Sequence, residues 1–156
     1  MVSGLTRWVT DWGSSVVDGL MLVGEQPGDH EDLQGKPFVG PAGQLLRSVM
    51  GGIGLDPGTT YITNVVKHFK FEPRGNRRLH KNPTPAEIEQ CQFWVLKEIE
   101  LVAPRIIVAM GGSAYRGLTG EEARVGQMRG RPMIFGQGRR KCILSGQPEG
   151  LLPWQT

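Results

Sequence analysis

Cysteine is almost absent: the 156 residues contain two, Cys91 and Cys142. Two thiols cannot make a disulfide framework or a four-cysteine metal site, and both read as buried core thiols. No run of 18 apolar residues occurs, which excludes a membrane-spanning helix. The first residues lack the basic-then-apolar order of a secretory signal and include Asp11, so the expected compartment is the cytoplasm. The two phosphate-binding glycine fingerprints are missing as well. There is no G-x-x-x-x-G-K-[ST], and no G-x-G-x-x-G opens a helix, which argues against a nucleoside triphosphatase or a dinucleotide enzyme. The 23 glycines follow no three-residue period, so a collagen-like fibre is excluded.

What is present is a chain of one-domain length, 1–156, with 38% hydrophobic and 21% charged residues, enough to bury a core. Net charge is only +3, but it is unevenly distributed. Between 67 and 81 lie Lys67, Lys70, Arg74, Arg77, Arg78 and Lys81 against the single acid Glu72. Between 124 and 142 lie Arg124, Arg129, Arg131, Arg139, Arg140 and Lys141 against none. Glu25, Asp29, Glu31 and Asp32 crowd one short stretch. Basic segments beside an acidic cluster suit a polyanion partner with acid chemistry at one spot.

The apolar run Gly19–Gly24 predicts a buried strand and is followed by a Gly-, Pro- and acid-rich loop to Gly40. Pro41 to about Met50 reads as a helix with Leu45, Leu46 and Val49 on one face. Thr60–Val66 is β-branched and strand-like, and a basic loop runs from Lys67 to Pro83. Thr84-Pro85-Ala86-Glu87 is a capping box. It starts a helix whose Ile88, Cys91, Val95, Ile99 and Val102 form one stripe, stopped at Pro104. Arg105–Met110 is a further buried strand, with a short helix through Leu118 after it. Arg131–Ser145 reads as two short strands around Gly136-Gln137-Gly138. Alternating strands and helices imply an α/β fold: a three-layer α/β/α sandwich with a central, mainly parallel, four-stranded sheet. Functional loops then lie beyond the C-terminal strand ends, after Val23, Val66 and Ser145.

Two of those loops carry a resemblance. G-E-Q-P-G-D-H-E-D-L-Q-G-K-P-F-V-G-P-A-G, from Gly24 to Gly43, resembles the first motif of the uracil-DNA glycosylase superfamily in its family-4-like group. T-N-V-V-K-H-F-K-F…N-R-R-L-H-K-N-P, from Thr63 to Pro83, resembles the uracil-cross-linking, UdgX-type branch. Likeness extends from about Gly19 to Leu152. The resemblance implies a protein that flips uracil out of DNA, cleaves its N-glycosidic bond and becomes covalently attached to the sugar through His80. Phe38 matches the stacking ring, and Asn64 the edge reader that accepts from uracil N3–H and donates to O4. Glu25 and Gln26 match reactive-site positions, where a carboxylate stabilises the cationic sugar. Asp29 and Asp32 match acids that shape the pocket, whereas Glu31 reads equally well as a surface charge. His80, as a nucleophile, must attack as a neutral imidazole. Arg77, Arg78 and Lys81 are expected to clamp DNA phosphates. His68 matches the branch without a chemical step.

Three departures qualify the resemblance. The family binds a 4Fe-4S cluster through cysteines, one of which matches Cys91, but its other ligands have no counterpart, so no cluster is expected. The family's V-H-P-S segment is replaced by Gly146-Gln147-Pro148-Glu149, with Gln147 standing where a histidine would polarise a uracil oxygen. The N-terminal cluster segment and the final helix of the family are expected to be missing. The expected partner is uracil-containing DNA, single strands preferred, bound by a monomer with no membrane association. Two alternatives stay open: an ordinary hydrolytic uracil-DNA glycosylase of base excision repair, and a non-catalytic DNA-binding relic.

Overall fold

The computed structural model describes residues 19–136 and 140–145. Its main sheet has five strands in the order β2-β1-β5-β7-β6. These are β1 (Leu20–Gly24), β2 (Tyr61–Asn64), β5 (Ile106–Met110), β6 (Pro132–Phe135) and β7 (Arg140–Ser145). β2, β1, β5 and β7 run parallel, which is the expected parallel core. The expected count of four is one short, because β6 adds an antiparallel edge strand on β7. β6 and β7 are the two short strands expected between Arg131 and Ser145, and β7 joins the parallel set.

Helices cover both faces. Strand alternation sends Met21 and Val23 to one side, where they pack with Val95, Ile99, Tyr115 and Leu118. These come from α3 (Pro85–Val102) and α4 (Gly112–Thr119). Leu22 and Ile62 point the other way, against Met50 of α2 (Pro41–Gly52) and Phe38. The capping box of α3 is formed as expected: Glu87 N–H donates to Thr84 Oγ1 at 3.3 Å, and Thr84 N–H donates to Glu87 Oε2 at 2.6 Å. Ile88, Cys91, Val95 and Ile99 are buried along its stripe. Ala103 ends the helix in the left-handed conformation at φ 50, just before Pro104.

Two segments differ from the sequence reading. The expected loop after Gly24 contains a six-residue helix, α1 (Asp29–Gln34). It has no apolar stripe that periodicity could detect. The expected basic loop is a hairpin, β3 (Phe71–Arg74) and β4 (Arg77–His80), apart from the main sheet. Its two-residue turn is Gly75-Asn76, with Gly75 at φ +59, the sign that a II′ turn needs at its first position. Pro73 hid the strand, since proline is tolerated only where a strand lacks a neighbour on that side. A further short helix, α5 (Val125–Met128), lies between α4 and β6.

Candidate active site

The parallel register brings the last residues of β1 and β2 together: Gly24 faces Asn64. Beyond that edge the two following loops stay in step, with Val65 N–H bonded to Gly24 O and Val66 N–H to Glu25 O, both at 2.9 Å. From β1 the chain passes to β2 on one side and returns across to β5 on the other. Such a reversal opens a crevice beyond the C-terminal strand ends.

Three groups meet at this edge. A Cβ on Gly24 would lie 2.4 Å from Asn64 Oδ1 and 2.6 Å from Phe38 Cζ, so the amide and the ring converge over a bare glycine. Asn64 is 2% exposed, and its Oδ1 is buried without a hydrogen-bond partner. An unpaired buried acceptor costs about 1–3 kcal/mol and marks a place where a ligand donor fits. Phe38 is 8% exposed and adopts φ 53, a left-handed backbone that costs a non-glycine residue roughly 1–2 kcal/mol. Its neighbours hold it there. A Cβ at Gly43 would lie 1.9 Å from the Phe38 carbonyl oxygen, so α2 starts in direct contact with this backbone. Glu31 clamps the loop from below: Gly40 N–H donates to Oε1 at 2.7 Å and Gly28 N–H to Oε2 at 3.1 Å. Glu31 is therefore a buried fastener of the Phe38 loop, and the surface reading of it is set aside.

Beneath Asn64 lies a buried ion pair that sequence reasoning passed over. Lys67 Nζ donates to Thr63 Oγ1 at 2.8 Å, to the Asn64 carbonyl oxygen at 2.7 Å and to Glu98 Oε2 at 2.7 Å. All three ammonium protons are thus used. Burial pushes the Lys67 amine below its ordinary range, while the charge and hydrogen bond of Glu98 pull it back up. The available signal was a lysine directly after Val65 and Val66, among residues that had to be buried.

The hairpin brings the histidine. Gln26 fastens its base: Lys70 N–H donates to Gln26 Oε1 at 3.2 Å, and Gln26 Nε2 donates to the Lys81 carbonyl at 3.0 Å. These backbone partners set which end of the amide faces the imidazole. Gln26 Nε2 lies 2.8 Å from His80 Nε2, so the amide donates and His80 Nε2 accepts. An accepting Nε2 carries the lone pair, and the ring proton sits on Nδ1. Glu25 Oε1 lies 3.8 Å from the same nitrogen, with the Glu25 side chain largely buried and His80 47% exposed. His68 is partly buried beside these loops.

Arg78 turns inward. It pairs with Asp29 Oδ1 at 2.5 Å and Asp32 Oδ2 at 2.6 Å, both on α1, and lies over the rings of Phe69 and Phe71 at 5.4 and 5.2 Å. Its hydrogen bond to Asp32 raises its already high pKa. Asp29 and Asp32 are thereby committed to the hairpin. Lys81 bonds Glu72 at 2.8 Å on the surface, and Arg77 is exposed without a carboxylate partner among the described residues. Gln147 lies outside the described residues.

An iron–sulfur cluster needs about four thiolates. Cys91 packs in the α3 core, and Cys142 on β7 is fully buried, its thiol pushed up to about 11 by burial. Burial that favours the thiol opposes the thiolate a ligand requires. Among the described residues no group of three His, Cys, Asp or Glu could hold a metal ion. The two cysteines present do not fit a cluster.

Comparison with known proteins bears on this arrangement. A family model described as "Uracil DNA glycosylase superfamily" matches residues 13–155. Over 106 residues the chain is 41% identical to a protein of Archaeoglobus fulgidus named "Type-4 uracil-DNA glycosylase", covering 68% of this chain and 49% of that one. Over 134 residues it is 37% identical to one of the same name from Thermotoga maritima, covering 85% and 66%. Over 117 residues it is 39% identical to one from Pyrobaculum aerophilum, covering 72% and 56%. The chain thus spans between about half and two thirds of the length of these relatives.

Proposed function

The chain belongs to the uracil DNA glycosylase superfamily, and from that premise we propose that it takes uracil from DNA, breaks the N-glycosidic bond and bonds its own His80 to the sugar. The observation that carries the base assignment is the buried, unpartnered Asn64 Oδ1 facing the Phe38 ring across Gly24. Uracil supplies a flat face for the ring and an N3–H donor for the oxygen, and its O4 accepts from the amide nitrogen. Cytosine offers an acceptor at N3 and a donor at its exocyclic nitrogen, and leaves both amide groups opposed to their own kind.

The chemistry then falls to Glu25, Gln26 and His80. As the C1′–N1 bond lengthens, its electron pair leaves with uracil as an anion and positive charge builds on the sugar. The Glu25 carboxylate stabilises that cation. His80 Nε2 gives up its hydrogen bond from the Gln26 amide, and the lone pair so released forms the new bond to C1′. The alkylated ring carries the positive charge beside Glu25, and water protonates the departing uracil. A tethered imidazole competes with water through effective molarities that reach about 10⁵ M or more. A second reading is favoured by the 3.8 Å between Glu25 Oε1 and His80 Nε2. A water polarised by that carboxylate–imidazole pair would attack C1′ instead and give an abasic site.

The test is incubation with a single-stranded oligonucleotide carrying one uracil, read on a denaturing gel. A retarded band that resists detergent, requires uracil and disappears in His80→Ser is the expected result. An adduct that survives His80→Ser refutes the nucleophile. Alkali-labile abasic DNA without adduct replaces the cross-linking reading with the hydrolytic one. DNA binding with neither product identifies a non-catalytic relic.

A further inference from the structure

The six basic side chains between residues 67 and 81 do not form one patch, because the fold divides them. Four are matched to carboxylates of the protein itself: Lys67 to Glu98, Lys70 to Glu87, Arg78 to Asp29 and Asp32, and Lys81 to Glu72. Arg74 and Arg77 remain, both exposed and without a carboxylate partner among the described residues. They are also directly opposed, as the pair that closes the Gly75-Asn76 turn.

Side chains opposed across an antiparallel pair share a face, with Cβ atoms about 4.5–5.5 Å apart. Two guanidinium groups held there repel, and a hairpin gains nothing structural from the pairing. Strand alternation explains why the neighbour Arg78 behaves differently. Pro73, Arg78, Phe71 and His80 belong to the face turned toward α1 and Gln26, whereas Arg74 and Arg77 belong to the opposite face. Two cations that repel each other, presented in water beside a two-residue turn, are relieved by one shared anion. Guanidinium forks fit the oxygens of a phosphodiester through paired hydrogen bonds.

We propose that Arg74 and Arg77 form a phosphate fork that grips one backbone phosphodiester of the DNA strand whose uracil enters the site. The proposal rests on the uracil-DNA reading above and replaces the phosphate clamp expected of Arg77, Arg78 and Lys81 with a two-arginine fork of Arg77 and Arg74. Arg77 is three strand residues from His80, about 10 Å at roughly 3.3 Å per residue. Because Arg77 and His80 belong to opposite faces, the strand reaches the fork by passing around the Gly75-Asn76 turn, and the gripped phosphate lies roughly three nucleotides from the reacting one, at about 3.4 Å of rise per nucleotide. Arg78, though adjacent in sequence, makes no such contact because Asp29 and Asp32 already neutralise it.

The experiment has two arms. First, binding of a uracil-free single strand is measured by fluorescence anisotropy across a salt series, for the parent, Arg74→Ala, Arg77→Ala and the double variant. Inorganic phosphate serves as competitor at constant ionic strength. The double variant is expected to bind at least about fivefold more weakly at low salt, with a log–log salt slope shallower by about 0.7 for the one lost phosphate. Parent affinity and slope in the double variant overturn the proposal, as does competition by millimolar phosphate that erases the difference while DNA length has no effect. Second, single neutral methylphosphonates are placed one to three nucleotides to either side of the uracil. At one position the parent should lose adduct-forming rate while the double variant loses nothing further. Absence of any such position overturns the fork. A parent that forms no adduct fails the functional reading alone, because the uracil-free arm still decides whether the fork binds DNA.

Discussion

Removing Glu98 tests whether the ion pair under Asn64 sets the site or merely fills the core. In Glu98→Gln the Lys67 ammonium stays buried at 2% exposure, with its other two bonds to Thr63 Oγ1 and the Asn64 carbonyl but no counter-charge. Breaking one side of a buried pair costs about 3–5 kcal/mol. In a domain of this size that lowers Tm by roughly 6–20 °C, at about 2–4 °C per kcal/mol. The pH dependence has a definite sign. Lys67 already has a lowered pKa, so the unfolded chain holds this proton to higher pH than the folded one. Stability from this group therefore rises as pH climbs through the lowered value toward 10.5, and without Glu98 the rise should start at lower pH. Urea denaturation of parent and variant at pH 7 and 9 reads both effects, because other groups that titrate there cancel in the difference. The double variant Lys67→Met/Glu98→Leu separates stability from positioning. Replacing a buried pair by apolar side chains is often neutral or stabilising by about 1–4 kcal/mol. The Asn64 carbonyl would nevertheless have lost the donor that fixes the end of β2, and misplacement of the reader should slow adduct formation on the order of 10²-fold. A firmly folded double variant that reacts at the parent rate refutes the positioning role, and an unchanged Tm in Glu98→Gln refutes the burial argument itself.

Gly24→Ala places a methyl 2.4 Å from Asn64 Oδ1 and 2.6 Å from the Phe38 ring, so uracil processing should disappear while salt-dependent binding of uracil-free DNA persists; gel and anisotropy assays on one preparation check this. Asn64→Asp replaces the donor to O4 with a second acceptor and adds charge, and the single-turnover rate on uracil DNA should fall by at least about 10²-fold. Burial raises the Glu87 carboxyl, but hydrogen bonds from Lys70 and Thr84 outweigh it and hold the group at about 2. The unfolded chain takes that proton first, so the contribution is complete above about pH 4.5 and is lost as pH falls toward 2. Tm measured against pH should show a flatter acid limb in Glu87→Gln. Cys142, fully buried and with its thiol pushed up to about 11, and buried Cys91 should be unreactive to an aromatic disulfide reagent at pH 8, and two thiols should titrate in guanidinium.

The sequence by itself determined the layered α/β plan, because that plan rests on local periodicity. Met21 to Val23 and Ile106 to Met110 are unbroken apolar runs, and the α3 stripe from Ile88 to Val102 follows a complete capping box. It also nominated Glu25, Gln26, Phe38, Asn64 and His80 as site residues, since they stand in two motifs. What only the tertiary structure decided is how charges are matched, because ion pairs join residues far apart in the chain and leave no periodic trace. Glu31 looks like any acid of an acidic loop, yet two glycine amides bury it. Lys67 and Glu98 are 31 positions apart and meet only because α3 packs across the end of β2. Arg77 and Arg78 are indistinguishable as letters. Once Gly75-Asn76 turns the chain into a hairpin, alternation sends one to solvent beside Arg74 and the other onto Asp29 and Asp32.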